Sequence, residues 1–214
     1  MSDHASSPRF LERQRLQDGR TSVVFRGLRV ADGQPVVIKR LKESYPHPEA
    51  IAAMQRELEL TRRAACPEVM QALELALDDG VLRLITEDFG ATALAERIRL
   101  GPLPLDEALD VAMAAARALA VLHDRDVVHQ DVKPHNLVRN AQTGQVKLID
   151  FGLATTLPRQ AVPLAPVTRL QGTALFMSPE QTGRTGLDPR FGHPAETTVD
   201  ALCWRGEDAS PRMR

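Results

Sequence analysis

The sequence predicts an α+β protein in which a small antiparallel β part with one helix precedes a mainly helical part. Two observations support this fold class. Short runs of β-branched and aromatic residues alternate with turn signals before residue 90. Apolar residues then recur at helical spacing between residues 105 and 122.

Two turn signals organise the predicted β part. Asp32-Gly33 and Asp78-Asp79-Gly80 have the composition of tight turns. A turn beginning at Leu16 leads into the first β-branched run. The predicted strands beside these turns are 22–27, 35–39, 69–77 and 81–86.

One helix is predicted from Pro48 to about Ala65, and its two central glutamates have different surroundings. Glu57 has mainly apolar neighbours three and four residues away, whereas Glu59 lies among arginines on the solvated face. An inward glutamate needs a cationic partner because an unpaired buried charge is costly. Lys39, at the end of an apolar strand, is the candidate partner. The alternative is that Glu57 lies in water at the helix edge.

A second helix is predicted to begin at Asp106-Glu107, because acidic residues suit the positive end of a helix. It ends at His123. Its predicted buried stripe consists of apolar residues at helical spacing: Leu105, Leu109, Ala112, Met113, Ala116, Leu119 and Ala120. We interpret Met113 as a core residue of this stripe.

The segment after the second helix carries side chains suited to phosphoryl transfer. Asp131 can accept a hydroxyl proton, and Lys133 can neutralise charge on a transferred phosphate. Asn136 and Asp150 offer the oxygen ligands that Mg²⁺ prefers. His129 is predicted to pack as a structural residue, since the acceptor role belongs to Asp131. The set predicts transfer of a phosphoryl group from ATP–Mg²⁺ to a hydroxyl.

In order and spacing, His129–Asn136 and Asp150-Phe151-Gly152 resemble the catalytic and metal-binding loops of protein kinases. The likeness covers about residues 10–184 and includes Gly172–Glu180, which is similar to the end of the kinase activation segment. It implies a bilobal protein-kinase-like fold with an incomplete larger lobe. The implied parts are an N-lobe over 10–86, a partial C-lobe over 87–184 and a tail over 185–214.

The resemblance also implies the residues that bind ATP and Mg²⁺. Lys39, paired with Glu57, would reach the α and β phosphates. The segment from Thr86 to Gly90 resembles the hinge whose backbone receives adenine, with Thr86 limiting the depth of the pocket. The other implied ATP contacts are Leu16, Gly19, Val24, Val37, Glu87, Leu137 and Asp150. The implied metal ligands are Asn136 and Asp150, and the activation-segment landmarks are Thr173 and Glu180.

The phosphate-binding hairpin departs from the family pattern. The three glycines of the family fall on Gln17, Gly19 and Ser22, so only the middle one is present. Glycine matters there because backbone N–H groups must approach phosphate without an intervening Cβ. We therefore expect Gln17 to weaken nucleotide affinity.

Two sequence phrases are similar to a narrower group of kinases. Residues 141–152 and 176–184 resemble the N-terminal kinase domain of large bacterial hybrid proteins that also carry an ATPase-like region, a GAF domain and a sensor histidine kinase. Together with Lys133 and Thr173, this implies a serine/threonine kinase acting on a protein substrate. It also implies downstream signalling domains in a full-length relative.

Composition excludes several other classes of partner. The 214 residues carry a formal net charge of −1, which gives no reason to expect a nucleic-acid partner. Cys66 and Cys203 do not make a disulfide framework, as is typical of a reducing compartment. The N-terminus lacks the apolar core of a signal peptide, and no stretch is apolar enough to span a membrane. We therefore expect a cytoplasmic protein.

Two other functional classes remain open. A small-molecule phosphotransferase of the aminoglycoside type shares the H-x-D-x-x-x-x-N loop, although Lys133 and Ser178-Pro179-Glu180 disfavour it. A pseudokinase, or an impaired kinase fragment acting as a nucleotide-binding or interaction module, is favoured by the incomplete glycine pattern and by the C-terminal residues.

Residues 185–214 show neither helical nor strand periodicity, and proline and glycine interrupt them. In the family, further helices that complete the larger lobe begin here. We expect a disordered tail, produced by a truncated or shifted reading frame, and a marginally stable chain with weak or no activity. A cooperative thermal melt, with protease resistance extending past Arg184, would contradict this expectation.

Overall fold

The computed structural model describes residues 8–156. These residues form two compact units. The first comprises residues 8–65 and 70–90, and the second comprises residues 66–69 and 91–156. The predictions for Thr173, Glu180 and the tail over 185–214 lie outside the described residues.

The first unit is a five-stranded antiparallel sheet with one helix, as the sequence predicts. Its strands are β1 (Phe10–Asp18), β2 (Ser22–Arg29), β3 (Pro35–Leu41), β4 (Ala72–Asp78) and β5 (Val81–Glu87), in the order β1-β2-β3-β5-β4. The helix α1 spans Pro48–Arg63 and begins with proline in its first turn, where the missing N–H costs no hydrogen bond.

The two predicted turns are present. Gly33, between β2 and β3, has a φ of 69°, and the β4–β5 turn places Asp79 at 51° and Gly80 at 74°. The predicted turn before β2 is present but begins later than predicted, because β1 continues through Leu16 to Asp18 and the chain reverses only after it. The side chains of β1 are largely polar and exposed, so no alternating apolar pattern marks this strand.

The sheet has an apolar core on each face. One core contains Phe10, Val36, Ile38, Ala76 and Ile85. On the other face, Met54 of α1 packs with Leu82 and Leu84 of β5. Because successive strand residues point to opposite faces, Val37 and Lys39 share the face that α1 covers.

Gly27 allows β2 to lie close to β1. A Cβ at this position would be 2.2 Å from the Leu11 carbonyl oxygen and 2.8 Å from Cδ1 of Ile38. Gly27→Ala is therefore expected to lower the free energy of unfolding by about 1–3 kcal/mol, because the backbone of β1 must shift. Gly33→Ala, which meets no atom within 4 Å, should cost about 1–2 kcal/mol through its positive φ alone. Urea denaturation of both variants measures the two losses of stability. A Gly27→Ala variant as stable as the parent would contradict the expected backbone shift.

The second unit contains two helices and short strands. The helices are α2 (Leu94–Ile98) and α3 (Leu105–Asp124). Strands β6 (Thr92–Ala93), β8 (Leu137–Arg139) and β9 (Val146–Leu148) form one sheet, and β7 (Val127–Val128) pairs with β10 (Thr155–Thr156). Residues 66–69 belong to this unit because Val69 bridges to Leu148, whose N–H donates to the Glu68 carbonyl oxygen at 2.8 Å.

The predicted buried stripe of α3 is wrong except at Leu119. Leu105 is 73% exposed and Met113 is 49% exposed, so Met113 is not a core residue. Leu109, Ala116 and Ala120 are also exposed, and Ala112 is half-buried. The buried face consists of Ala108, Val111, Ala114, Ala115, Ala118, Leu119 and Leu122.

The physical reason is that α3 is apolar on more than one face. Two stripes fit helical spacing, and the sequence pattern alone does not rank them. The face richer in alanine packs against β7 and β9, where small side chains permit close approach.

Within residues 8–156, no helix has the length and apolar character needed to cross a membrane.

Candidate active site

The first unit pairs Lys39 with Glu57, as predicted. The Lys39 ammonium donates to Oε1 of Glu57 at 2.7 Å and to Oε2 at 2.9 Å. Glu57 is 7% exposed, so the carboxylate lies on the inward face of α1 and not at a hydrated edge. A cation held at both oxygens offsets the desolvation of the buried carboxylate.

Strand register places four predicted nucleotide-binding residues on one face of the sheet. Val24 lies opposite Lys39, and Val37 lies opposite Thr86. Directly opposed residues of antiparallel strands share a face, and so do residues two apart along a strand. Val24, Val37, Lys39 and Thr86 therefore form one surface in the first unit.

Three other predicted ATP contacts of the first unit lie elsewhere. Glu87 pairs with Val36 and so faces the opposite side, where its carboxylate accepts the Gln71 N–H at 2.8 Å. Leu16 is an exposed residue of β1. The Gly19 N–H donates to the Ser22 carbonyl oxygen at 2.9 Å, so this amide is engaged within the β1–β2 turn.

An ion pair that the sequence analysis missed joins β2 to the segment after β5. Nε of Arg26 lies 2.6 Å from Oδ2 of Asp88. The two residues are 62 positions apart, so no local sequence pattern links them.

The second unit gathers the predicted catalytic residues Asp131, Lys133 and Asn136 around one carboxylate. Oδ2 of Asp131 accepts from the Lys133 ammonium at 2.6 Å and from Nδ2 of Asn136 at 2.9 Å. The same Nδ2 also donates to the Asp131 carbonyl oxygen at 2.8 Å. The Asp131 carboxylate is buried, and its orientation is fixed by a cation and an amide on one oxygen.

Backbone pairing connects this cluster to the segment that precedes Asp150. The Asn136 carbonyl oxygen accepts the Ile149 N–H at 2.9 Å. In the adjacent hairpin Leu137, a predicted ATP contact, is fully buried and pairs with Leu148. The two predicted metal ligands, Asn136 and Asp150, are therefore connected by the short β8–β9 hairpin and by this backbone hydrogen bond.

Three residues of this unit that carry a Cβ have a left-handed backbone. They are Asp126, with a φ of 56°, and Gln130 and Asp150, each with a φ of 65°. Left-handed conformations are uncommon for residues with a Cβ and are concentrated at functional sites. At Asp150 the Gly152 N–H, 3.4 Å from Oδ1, lies beside the carboxylate, which is exposed at the surface of the unit.

Asn136 and Asp150 fit the donor set of a magnesium ion. Nδ2 of Asn136 makes both hydrogen bonds to Asp131, so the amide presents its oxygen, Oδ1, on the other side. No residue in the described range donates a hydrogen bond to Oδ1. Residues 8–156 contain no group of three His, Cys, Asp or Glu side chains placed to hold a metal. One or two protein oxygens completed by phosphate oxygens is the usual arrangement for Mg²⁺.

His129 is a structural residue, as predicted. Nδ1 accepts the Asp131 N–H at 3.3 Å, and Nε2 lies 3.1 Å from the Ile149 carbonyl oxygen. Since Nδ1 is an acceptor, the ring is neutral and carries its proton on Nε2. The ring also meets Phe151 edge to face, with centroids 4.8 Å apart. His129 thereby ties the Asp131 loop to the Asp150 loop.

Protonation of His129 is expected to destabilise the fold. Burial lowers the pKa of His129 below its usual 6.5. The unfolded chain therefore binds this proton more readily, so stability is full above pH 6.5 and falls as pH drops from there toward the folded pKa. Burial lowers the pKa of His123 as well, so protonation of His123 lowers the stability over the same direction of pH change.

Urea denaturation at about pH 7.5 and about pH 5.5 measures this dependence. His129→Asn should show a smaller loss of stability between the two values than the parent chain. His123→Gln provides the matched control and should keep the His129 share. An unchanged pH dependence in His129→Asn would contradict the assignment.

The sequence matches one family model and several curated proteins. The family model described as "Protein kinase domain" matches residues 10–191. Serine/threonine-protein kinase PknL of Mycobacterium tuberculosis is 33% identical over 190 residues, which is 85% of this chain and 45% of PknL. Serine/threonine-protein kinase PrkC of Bacillus subtilis is 31% identical over 154 residues, covering 71% of this chain and 23% of PrkC. Serine/threonine-protein kinase pkn2 of Myxococcus xanthus is 29% identical over 187 residues, covering 85% of this chain and 22% of pkn2. The chain spans less than half the length of these curated relatives.

Proposed function

The chain belongs to the protein kinase domain family, and we propose that it transfers the γ-phosphate of ATP to a serine or threonine hydroxyl of a protein. The observation that carries this proposal is the cluster in which Lys133 and Asn136 both bind one oxygen of Asp131. A carboxylate fixed in this way can accept a proton, and the adjacent cation can meet the charge that develops on a transferred phosphoryl group.

Asp131 is the proposed proton acceptor. As the substrate oxygen attacks the γ-phosphorus, its proton passes to the Asp131 carboxylate, and the bond from phosphorus to the leaving oxygen of ADP breaks. Lys133 remains beside Oδ2 and neutralises negative charge on the phosphoryl oxygens. His129 does not take part in proton transfer, because both of its ring nitrogens are engaged by backbone groups.

Asn136 and Asp150 are the proposed magnesium ligands. Mg²⁺ would neutralise charge on the ATP phosphates when bound. The two side chains are held in position by different means. The Asn136 amide is fixed by two hydrogen bonds to Asp131. The Asp150 carboxylate is set by a left-handed backbone.

Lys39 is the proposed ligand of the α and β phosphates. Its ammonium is held by both oxygens of Glu57, on the face that also carries Val24, Val37 and Thr86. The aliphatic and β-branched side chains of that face suit an apolar base. For Glu87, Leu16 and Leu137 we propose contact with the nucleotide as implied by the family pattern, in the case of Glu87 through its backbone.

The protein class of the substrate rests on sequence features and on the relatives. Lys133 and Thr173 indicate a serine/threonine kinase, and the relatives named above are serine/threonine-protein kinases. A pseudokinase remains the second candidate function, because Gln17 and Ser22 replace loop glycines and the Gly19 amide is engaged within its turn.

Labelled phosphate transfer tests the proposed function. The full chain is incubated with γ-labelled ATP and Mg²⁺ in the presence of casein or of an aminoglycoside. We expect label on casein and none on the aminoglycoside. Label on the aminoglycoside alone would identify a small-molecule phosphotransferase. ATP binding without any transfer would support the pseudokinase.

We also propose that the chain corresponds to the N-terminal kinase domain of larger bacterial hybrid signalling proteins and that it acts in the cytoplasm. The support is the likeness of residues 141–152 and 176–184 to bacterial hybrid kinases. Antibodies against the kinase domain, applied to fractions of the source cells, should detect the chain in the cytoplasmic fraction. A band confined to membranes would contradict this setting.

A further inference from the structure

The Arg26–Asp88 ion pair joins strand β2 to the segment that follows β5. Nε of Arg26 is 2.6 Å from Oδ2 of Asp88, and the Asp88 side chain is 7% exposed. A buried carboxylate requires such a partner, because it loses most of its hydration. The pair therefore fixes the position of Asp88 relative to strand β2.

Asp88 uses its other oxygen to shape the backbone that follows. Oδ1 accepts the Gly90 N–H at 2.9 Å, and Gly90 has a φ of 74°. On the preceding side Glu87 is bound twice to Gln71, by its own N–H at 3.0 Å and by its carboxylate at 2.8 Å. The Glu87–Gly90 segment is thus held by Gln71 at one end and by Arg26 at the other.

The strand register places Arg26 beside the proposed nucleotide face. Arg26 lies opposite Val37 in β3, and Val37 lies opposite Thr86 in β5. These residues share the face that carries Lys39. Asp88 is two residues beyond Thr86, so the ion pair runs across β3 beside Val37.

We propose that Arg26 is a positioning residue for ATP, which acts through Asp88 by holding the Glu87–Gly90 backbone in the conformation that receives the adenine ring. This inference rests on the proposed function. Arg26 need not touch the nucleotide. Its contribution is to fix the segment in advance, so that ATP binding does not have to order it.

A second ion pair on the same strand provides a matched control. Nη2 of Arg29 lies 2.6 Å from Oδ2 of Asp32. The two residues are three positions apart in the sequence, at the β2–β3 turn. That pair is local and solvent-exposed, and exposed pairs contribute little. Arg29→Gln therefore removes an arginine ion pair from β2 without affecting the Glu87–Gly90 segment.

Steady-state kinetics of the full chain with casein and varied ATP test the inference. Arg26→Gln and Asp88→Asn should each raise the KM for ATP by about five- to tenfold, with kcat within about twofold of the parent. The double variant should show no further rise, because the two changes remove one interaction. Arg26→Lys should recover part of the loss, and Arg29→Gln should match the parent.

The outcomes separate this inference from the proposed function. A purely structural role would lower the melting temperature and the active fraction, which reduces the apparent kcat and leaves KM unchanged; that result in both single variants would overturn the inference. An active parent with an unchanged KM in Asp88→Asn would overturn it too. A parent chain that neither binds ATP nor transfers phosphate would overturn the proposed function, and the inference with it.

Discussion

Asp131→Ala is expected to abolish phosphotransfer while leaving ATP binding nearly unchanged. In the proposed reaction Asp131 acts only as the substrate hydroxyl loses its proton, so its removal should lower kcat by about 10²–10⁴-fold. Asp150→Ala should behave differently, because it removes a proposed metal ligand and should weaken Mg²⁺–ATP binding itself. Labelled phosphate incorporation, measured beside a nucleotide titration, distinguishes the two variants.

Asp110→Ala is the matched control for this pair. Asp110 is an exposed aspartate on α3, remote in sequence from both loops, and its replacement should leave kcat and nucleotide affinity unchanged. Full activity in Asp131→Ala would refute the assignment of the proton acceptor. Loss of ATP binding in that variant would show that the loop serves the nucleotide more than the transfer step.

Lys39→Met is expected to eliminate most of the activity and also to destabilise the first unit. In this variant the ATP phosphates no longer have the ammonium that is proposed to bind them. The Glu57 carboxylate, which is 7% exposed, is also left without this cation. Breaking such a pair should cost about 1–3 kcal/mol of unfolding free energy. Replacing both partners, in Lys39→Met/Glu57→Leu, should restore much of the stability without restoring activity.

The double variant separates the structural share of the pair from its functional share. Glu59→Gln is the control, since Glu59 lies on the exposed side of the same helix and should be neutral in both assays. The measurements are urea denaturation and labelled phosphate transfer. Activity retained in Lys39→Met would contradict the phosphate-binding role, and a double variant as unstable as the single one would contradict the ion-pair account.

Residues with a strong local pattern were predictable from the sequence. The turns at Gly33 and Gly80 follow from residue type, and the inward position of Glu57 follows from its helical neighbours. The contacts among Asp131, Lys133 and Asn136 also agree with their spacing, because the three lie within six residues and one loop brings them together. Their chemical roles stay predictions until activity is measured.

Features set by distant parts of the chain were not predictable. Two apolar stripes of α3 fit the helical period, and the choice between them depends on packing against β7 and β9. Strand β1 has exposed polar side chains and exists because β2 pairs with it. The Arg26–Asp88 pair joins residues 62 positions apart, which no periodicity connects. Strands β6 and β8, of two and three residues, are too short to show a pattern.

Phosphoamino acid analysis of a labelled protein substrate tests the central claim most directly. The full chain is incubated with casein, Mg²⁺ and γ-labelled ATP, and the labelled casein is hydrolysed to free amino acids. The account predicts label on phosphoserine or phosphothreonine, and its disappearance in Asp131→Ala. Label that persists in Asp131→Ala, or label found only on phosphotyrosine, would contradict it.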